Sequence, residues 1–582
     1  MRHLIVSLAA ASLLVASGCN SDIKTSPGQA YFKSFTYSGN DAVFDPGRLN
    51  EGEIFNPVLQ GAYSDASICS KGGDYYMALA NYTFYPGIPI LHSKDLVNWE
   101  QISYALSTEQ QLLNTSLRAD QGIYPSTIRY DAKTDRFYIT GTLVGGGGHF
   151  IVWANDPKGP WSNPEWLYGM GGVHSALFFD DNGKCYITNQ GNPDYDPPYT
   201  DHKVIWLQEI DINTFKLKGE RKIILAGGDQ IEKKPTWLES PHIFKHGNYY
   251  ILLASEGGGL GNGYSTCVYR SENVWGPYEH YSQNPILTQR RLSPGREDAV
   301  TNTGRVDMVQ NAQGDWWAVF QGVRPYSPTN DYFVGRETYI LPVKWDGDWP
   351  YIIRNGDGIM PKLKAPYGTK YETDSVVYAK YIPHGNFTYV ENFESDTLPM
   401  QWAYLRTPVG VPFVPNGEHG LVLPLEINNI RSQRHAGFLG LRVMHNNFAV
   451  ETELHFLPQS QSEFSGIALY LNDKCNYELG VSATDDNSFV VRAQKTEKVE
   501  DNLSRTDIRV KRLDDSFLGK IYLRIERCDD GFAFQYKLQE SDKYTDLERK
   551  VPVDYLTLSP EKGQGGFMGL VVGPYASQEE DD

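Results

Sequence analysis

Cysteine is scarce in this chain. There are six in 582 residues, and no two of them form a C-x-x-C pair. That scarcity excludes a dense disulfide framework and makes a structural zinc site an unsupported reading. Positive charge is also in short supply: Lys plus Arg number 53 against 71 for Asp plus Glu, a net charge of −18. A surface of that sign repels phosphate polyanions, which argues against non-specific binding to nucleic acid or anionic membrane. Beyond the leader no apolar run is long enough to span a bilayer. The glycines of 257–263 miss the G-x-G-x-x-G spacing, and no Walker loop, H-E-x-x-H or G-x-S-x-G is present. Dinucleotide, nucleoside triphosphate, zincin and serine-hydrolase chemistry therefore have no sequence support.

What is plentiful is tyrosine (38), glycine (55) and proline (33), a mixture suited to many short strands and tight turns. The amino terminus is an address. Met1-Arg2-His3 precedes an apolar run from Leu4 to Val15 and then Ala16-Ser17-Gly18-Cys19. This reads as a secretory signal over residues 1–18 and resembles a bacterial lipobox, with Cys19 the acylated first residue of the mature chain. The expected location is the bacterial cell envelope, on the periplasmic side or the outer surface, held only by that lipid. The remaining cysteines (69, 185, 267, 475, 528) are odd in number and read as buried free thiols, although one pair could join in an oxidising compartment.

Residues 19–50 read as a polar lead without a clear period. From residue 51 a unit recurs: a turn pair followed by an aromatic strand. The copies are Gly73-Asp74-Tyr75-Tyr76, Asp135-Arg136-Phe137-Tyr138, Gly183-Lys184-Cys185-Tyr186, Gly247-Asn248-Tyr249-Tyr250 and Gly314-Asp315-Trp316-Trp317. They start at intervals of roughly 50 to 65 residues, the range of propellers and other arrays. Strand-like runs precede them (126–130, 175–179, 241–244, 306–309). Five units of three or four strands predict an all-β, five-bladed β-propeller over 51–363. After a connector at 364–386 the pattern changes to period-two strands, which predict a β-sandwich over 387–582. In a propeller the first strand of each blade lines the axis, so residues distant in sequence converge there.

Three residues precede first strands and should meet at one mouth: Asp65 before blade one, His174 before blade three and Glu239 before blade four. Carboxyls at such a mouth, among aromatics, suit glycoside hydrolysis, where one protonates the leaving oxygen and another activates water or attacks carbon. Each also has a bland reading: Asp65 as a turn cap, Glu239 as an exposed residue before proline, His174 as a partner of a backbone carbonyl.

Several blocks make the comparison specific. Asn56-Pro57-Val58-Leu59 leading to Asp65, residues 86–96, Glu239-Ser240-Pro241-His242-Ile243, residues 316–325, and Gly335-Arg336-Glu337-Thr338 with Pro342-Val343-Lys344-Trp345 resemble glycoside hydrolase family 43. The final segment is similar to the concanavalin-A-like domain appended to its β-xylosidase-like members. The resemblance implies an exo-acting, inverting glycosidase that releases β-D-xylose or α-L-arabinofuranose from plant-type oligo- or polysaccharide. No cofactor is expected, and the positive Arg305 near the axis disfavours a calcium ion there, so no metal is expected either. The resemblance makes Asp65 the general base, Glu239 the general acid and Arg324 a fork-shaped holder of sugar hydroxyls. It places Tyr82, Phe84, Tyr85 and Tyr124 against sugar. It also implies that the sandwich lends a loop to the pocket rim.

The chain departs from the family pattern in three places. Ser64-Asp65-Ala66 replaces Pro-Asp-Pro, His174 replaces the carboxylate that tunes the acid's pKa, and Gly304-Arg305 replaces Gly-His near the axis. A neutral imidazole at 174 could orient Glu239, whereas a protonated one would lower its pKa. Two readings follow. One is a working enzyme in which His174 and Arg305 read the sugar. The alternative is an altered relative that binds carbohydrate or cleaves a galacto-configured or acidic sugar.

Overall fold

The structure is a computed structural model that describes residues 25–112, 116–371, 382–408, 420–499, 502–528, 530–559 and 566–579. Cys19 and the leader lie outside the described residues. The molecule is all-β: a five-bladed propeller and a concanavalin-A-like sandwich. Among the described residues no helix is long and apolar enough to cross a membrane, and the five cysteines they include are free thiols, three of them buried.

Blades one to three are four-stranded antiparallel sheets, built on first strands Ser67–Lys71, Gly122–Asp131 and Val173–Phe179; blade four, built on Glu239–His246, has five strands, because Glu279–His280 and Leu287–Thr288 both pair with Ser265–Ser271. Blade five contributes Thr301–Gln310, Trp316–Val323 and Glu337–Pro342. Each aromatic strand anticipated from the repeats is the second strand of its blade, paired with the axial one. The ring closes on blade five, where Leu59 bridges Thr338 and the Asn56 side chain bonds the backbone of Ile340 at 2.9 and 3.1 Å.

The axis is filled by side chains. Asp307, on blade five, accepts from Arg129 of blade two at 2.8 and 3.0 Å and from Ser67 of blade one at 2.6 Å, and His242 of blade four lies 3.3 Å away. Burial penalises this carboxylate, but the Arg129 guanidinium and its hydrogen bonds hold its pKa well below the usual range.

The sandwich has two sheets. The larger joins Asn502–Arg512, Phe489–Val499, Cys475–Ala483, Glu463–Asn472, Val571–Gln578, Leu439–Arg442, Ala403–Leu405 and finally Phe84–Tyr85, a strand of propeller sequence. The smaller places Gln29–Gly39 between Phe387–Glu391 and Phe448–His455. Residues 29–39 are therefore an interior sandwich strand, which corrects the reading of 19–50 as a polar lead. The strand hid because its alternation breaks at a bulge between Phe32 and Ser34, with Ala30 to Phe32 buried on both faces.

Candidate active site

The axial strands carry bulges where they approach the mouth. Pairing register slips between Tyr124 and Thr127, Val173 and Ala176, Glu239 and His242, and Thr301 and Gly304. Left-handed backbone recurs there at non-glycine residues: Asp65 (φ 59°), Tyr82 (44°), His174 (57°), Ser240 (53°) and Arg305 (54°). Such conformations cost energy and persist where the surrounding structure fixes them. A bulge turns a side chain that would lie along the sheet face toward the axis.

The result is one cavity of about 450 Å³ lined by Asp65, Tyr82, Tyr124, His174, Trp237, Glu239, residues 257–261, Arg336 and Phe567. Asp65 and Glu239 thus share a chamber although they start different blades. Asp65 accepts from the Tyr82 hydroxyl at 2.7 Å and from both terminal nitrogens of Arg336 at 3.2 and 2.7 Å. The Arg305 Nε lies 3.6 Å from Asp65 Oδ1. Burial raises the carboxyl's pKa, and the two guanidiniums outweigh burial, so Asp65 is held ionised below the ordinary range. Glu239 has the opposite fate. Burial dominates and raises it to about 7; the Asp65 charge adds to the rise, while a hydrogen bond from Tyr264 and the two arginines oppose it. Gly304 makes room for Tyr264, since a Cβ there would lie 2.4 Å from that ring.

His174 is neutral. Burial and the Arg305 charge depress its pKa to about 3. Its Nδ1 bonds the Ser240 hydroxyl at 2.8 Å and stands 3.9 Å from Glu239 Oε2, too far for a hydrogen bond. The ring therefore does not orient the acid directly, as the sequence allowed it to do.

Tyr82 and Tyr124 line the cavity as expected, but four other placements need correction. Arg324 is not in it. It donates to Glu337 at 2.7 and 2.9 Å, to Asp41 at 2.8 Å and to the Met444 carbonyl at 2.9 Å, which ties propeller, amino-terminal segment and sandwich together. Phe84 and Tyr85 pair with Leu405 and Tyr404 in the sandwich sheet, so their rings serve the domain interface. Arg305 is buried beneath the floor, donating to Ser240 Oγ at 3.2 Å and to the Ser126 carbonyl at 3.0 Å, and it does not line the cavity. In each case an aromatic or a guanidinium of the right type was present, but the bulges and the domain contact, which sequence does not show, decide its direction.

Sequence reasoning missed Arg336, Phe567 and Trp237. Arg336 sat inside a quoted block, one residue before the strand that carries Glu337. Phe567, from the sandwich, stacks on Tyr82 (centroids 5.6 Å apart, planes 10°) and meets Tyr124 edge-on, and its carbonyl accepts from Arg336 at 3.1 Å. Its segment reaches the site because Gly335 and Gly569 touch; a Cβ on Gly335 would lie 2.8 Å from the Gly569 Cα. Trp237 stands at the rim, 41% exposed.

A five-bladed propeller whose mouth holds one ionised and one protonated carboxyl among aromatic rings defines a glycosidase. The profile of the glycosyl hydrolases family 43 matches residues 54–350, and that of the β-xylosidase C-terminal concanavalin-A-like domain matches 390–582. The chain belongs to glycoside hydrolase family 43. It is 31% identical over 536 residues to a xylosidase/arabinosidase of Butyrivibrio fibrisolvens, covering 90% of this chain and 95% of that one. It is 29% identical to a non-reducing end α-L-arabinofuranosidase of Bacteroides ovatus, with 90% and 91% covered. Among solved structures, a GH43_12 protein retrieved from a capybara gut metagenome superposes with a TM-score of 0.85 at 32% identity, over 94% of this chain and 99% of that one.

Proposed function

We propose that the enzyme removes a terminal pentose, β-D-xylose or α-L-arabinofuranose, from plant-type oligo- or polysaccharide with inversion at the anomeric carbon. The observation that carries this reading is the split protonation of two carboxyls in one chamber. Asp65 is ionised by its arginines and can draw a proton from water; Glu239 keeps its proton to about pH 7 and can deliver it to the leaving oxygen. Arg336 holds Asp65 in place and presents its remaining edge to the cavity. Tyr82, Tyr124 and Phe567 form the apolar wall for the sugar, and Trp237 offers a stacking face for the next unit. The choice of pentose draws on relatives named as xylosidase and arabinosidase.

A panel of 4-nitrophenyl β-xyloside, α-arabinofuranoside, β-galactoside and β-glucuronide tests the sugar, and proton NMR of the first product tests the stereochemistry. Release of xylose or arabinose with inverted configuration is expected. Retention, or turnover of the galactoside or glucuronide alone, rejects the proposal and favours the altered-pocket reading that His174 invites. We also propose attachment to the cell envelope through Cys19, for which the support is the leader sequence. Labelled palmitate should mark the wild type and not Cys19→Ala.

A further inference from the structure

Resting on the glycosidase reading, we infer that His174 is a fixed-tautomer hydrogen-bond donor to a hydroxyl oxygen of the bound terminal sugar, its tautomer set by Arg305 through Ser240. Ser240 Oγ has two hydrogen-bond partners, Arg305 Nη1 at 3.2 Å and His174 Nδ1 at 2.8 Å. A guanidinium only donates, so it takes an acceptor position on Oγ. The hydroxyl's own proton then has one acceptor within reach, the imidazole Nδ1. If Nδ1 instead carried the ring proton, both lone pairs of Oγ would be accepting and the serine's own proton would have no acceptor among these partners. A neutral ring whose Nδ1 accepts must carry its proton on Nε2.

That second nitrogen has no hydrogen-bond partner among the described residues. His174 lines the cavity, its one side-chain hydrogen bond among the described residues is that to Ser240, and Nε2 is not sealed from the chamber. It therefore opens on the chamber as a neutral N–H donor, beside the protonated Glu239 and across from the ionised Asp65. A sugar hydroxyl oxygen suits such a donor, because it can accept from Nε2 while giving its own proton to a carboxylate. Arg305 is held for this task from several blades: its backbone N–H donates to Ser255 Oγ at 2.9 Å and its guanidinium spans Ser240 and the Ser126 carbonyl. Arg305 and Ser240 are positioning residues; His174 is the contact.

The test reads the tautomer and the contact separately. In protein labelled with ¹⁵N-histidine, His174 should show a pyridine-like Nδ1 and a protonated Nε2, with no titration between pH 5 and 8. In Ser240→Ala the Nδ1 signal should move toward a tautomer mixture. A protonated Nδ1 in the wild type overturns the proposal without touching the catalytic assignments. For the contact, glutamine can place its amide where Nε2–H stands and asparagine cannot. His174→Gln should remain within about tenfold of wild type in kcat/KM, whereas His174→Asn should lose roughly 10- to 100-fold, mostly in KM. Equal losses in both, with a displaced alkaline limb of the pH profile, would mean that the ring acts through Glu239 and overturn the donor role. If no glycoside is turned over, the glycosidase reading fails. The donor role is then judged by the Nε2–H signal on adding xylose or arabinose: a shift supports it, and no shift with either sugar overturns it.

Discussion

Arg324 and Arg336 are both buried, both bound in two places by a carboxylate, and both served by the same short stretch of chain. Glu337, next to Arg336, is the partner of Arg324. Yet one pair is a rivet and the other a catalytic fixture. Around Arg324 every direction is filled: Glu337 and Asp41 take its nitrogens, the Met444 carbonyl takes the rest, and Asp41 in turn accepts from the backbone of Asn446 and Asn447. Around Arg336 the carboxylate has an edge left on a cavity, a tyrosine hydroxyl shares the pair, and the carboxyl of Glu239 opens on the same chamber. A buried ion pair by itself says nothing about catalysis; unspent hydrogen-bonding capacity facing a chamber does. The sequence places an arginine in each of two adjoining motifs, and only the contacts separate them.

The largest losses are expected at the carboxyls. Glu239→Ala should lose about 10²- to 10⁴-fold in kcat on glycosides with poor leaving groups and less on activated aryl glycosides, which need little protonation. Equal losses on both would remove Glu239 from the acid role. Asp65→Ala should fall as far, with partial rescue by azide measured as return of product release.

The two arginines should then part company. Arg324→Met leaves the buried Glu337 and Asp41 without their counter-charge, and should cost about 3–5 kcal/mol of stability in denaturant titration. Whatever folded fraction remains should keep near-native KM. Arg336→Lys keeps a charge but not the two-pronged geometry, so kcat should drop while the denaturation midpoint moves less than for Arg324→Met. The reverse ranking would erase the distinction between rivet and fixture.

The two carboxyls also set the pH profile. Glu239 works while protonated, so kcat/KM should fall as pH rises through about 7, and Asp65 places the acid limb below the usual carboxylate range. The same raised pKa has a stability consequence. The folded state holds the proton more tightly than the unfolded one, so stability is full below the ordinary glutamate value and declines as pH climbs toward 7. Glu239→Gln should flatten that slope in urea titrations. The smallest effect belongs to Phe567→Ala, which removes one ring of the sugar wall: KM should rise several-fold with kcat less affected.

Much of this was legible in the sequence for a simple reason. The hairpins of the blades are local, so glycine or aspartate turns followed by aromatic strands announced all five, and Asp65, His174 and Glu239 were found because each sits at or just ahead of the start of an axial strand. What escaped depended on contacts between distant segments. Phe84 and Tyr85 carry the right rings but pair with the sandwich. Phe567 reaches the pocket from the far end of the chain. Arg336 is aimed by a turn at Gly335 that only a close approach to Gly569 explains.

The strand Gln29–Gly39 has a consequence for how the molecule is made. It is synthesised first, yet its hydrogen-bonding partners at 387–391 and 448–455 emerge only after the entire propeller has left the ribosome. Until then it is a strand rich in aromatic residues with both edges open, the kind of segment through which nascent chains self-associate. The same arrangement makes the two domains inseparable by simple cutting. A chain ended after the propeller would keep an orphaned strand, and one begun at the propeller would leave a gap in the middle of the smaller sheet.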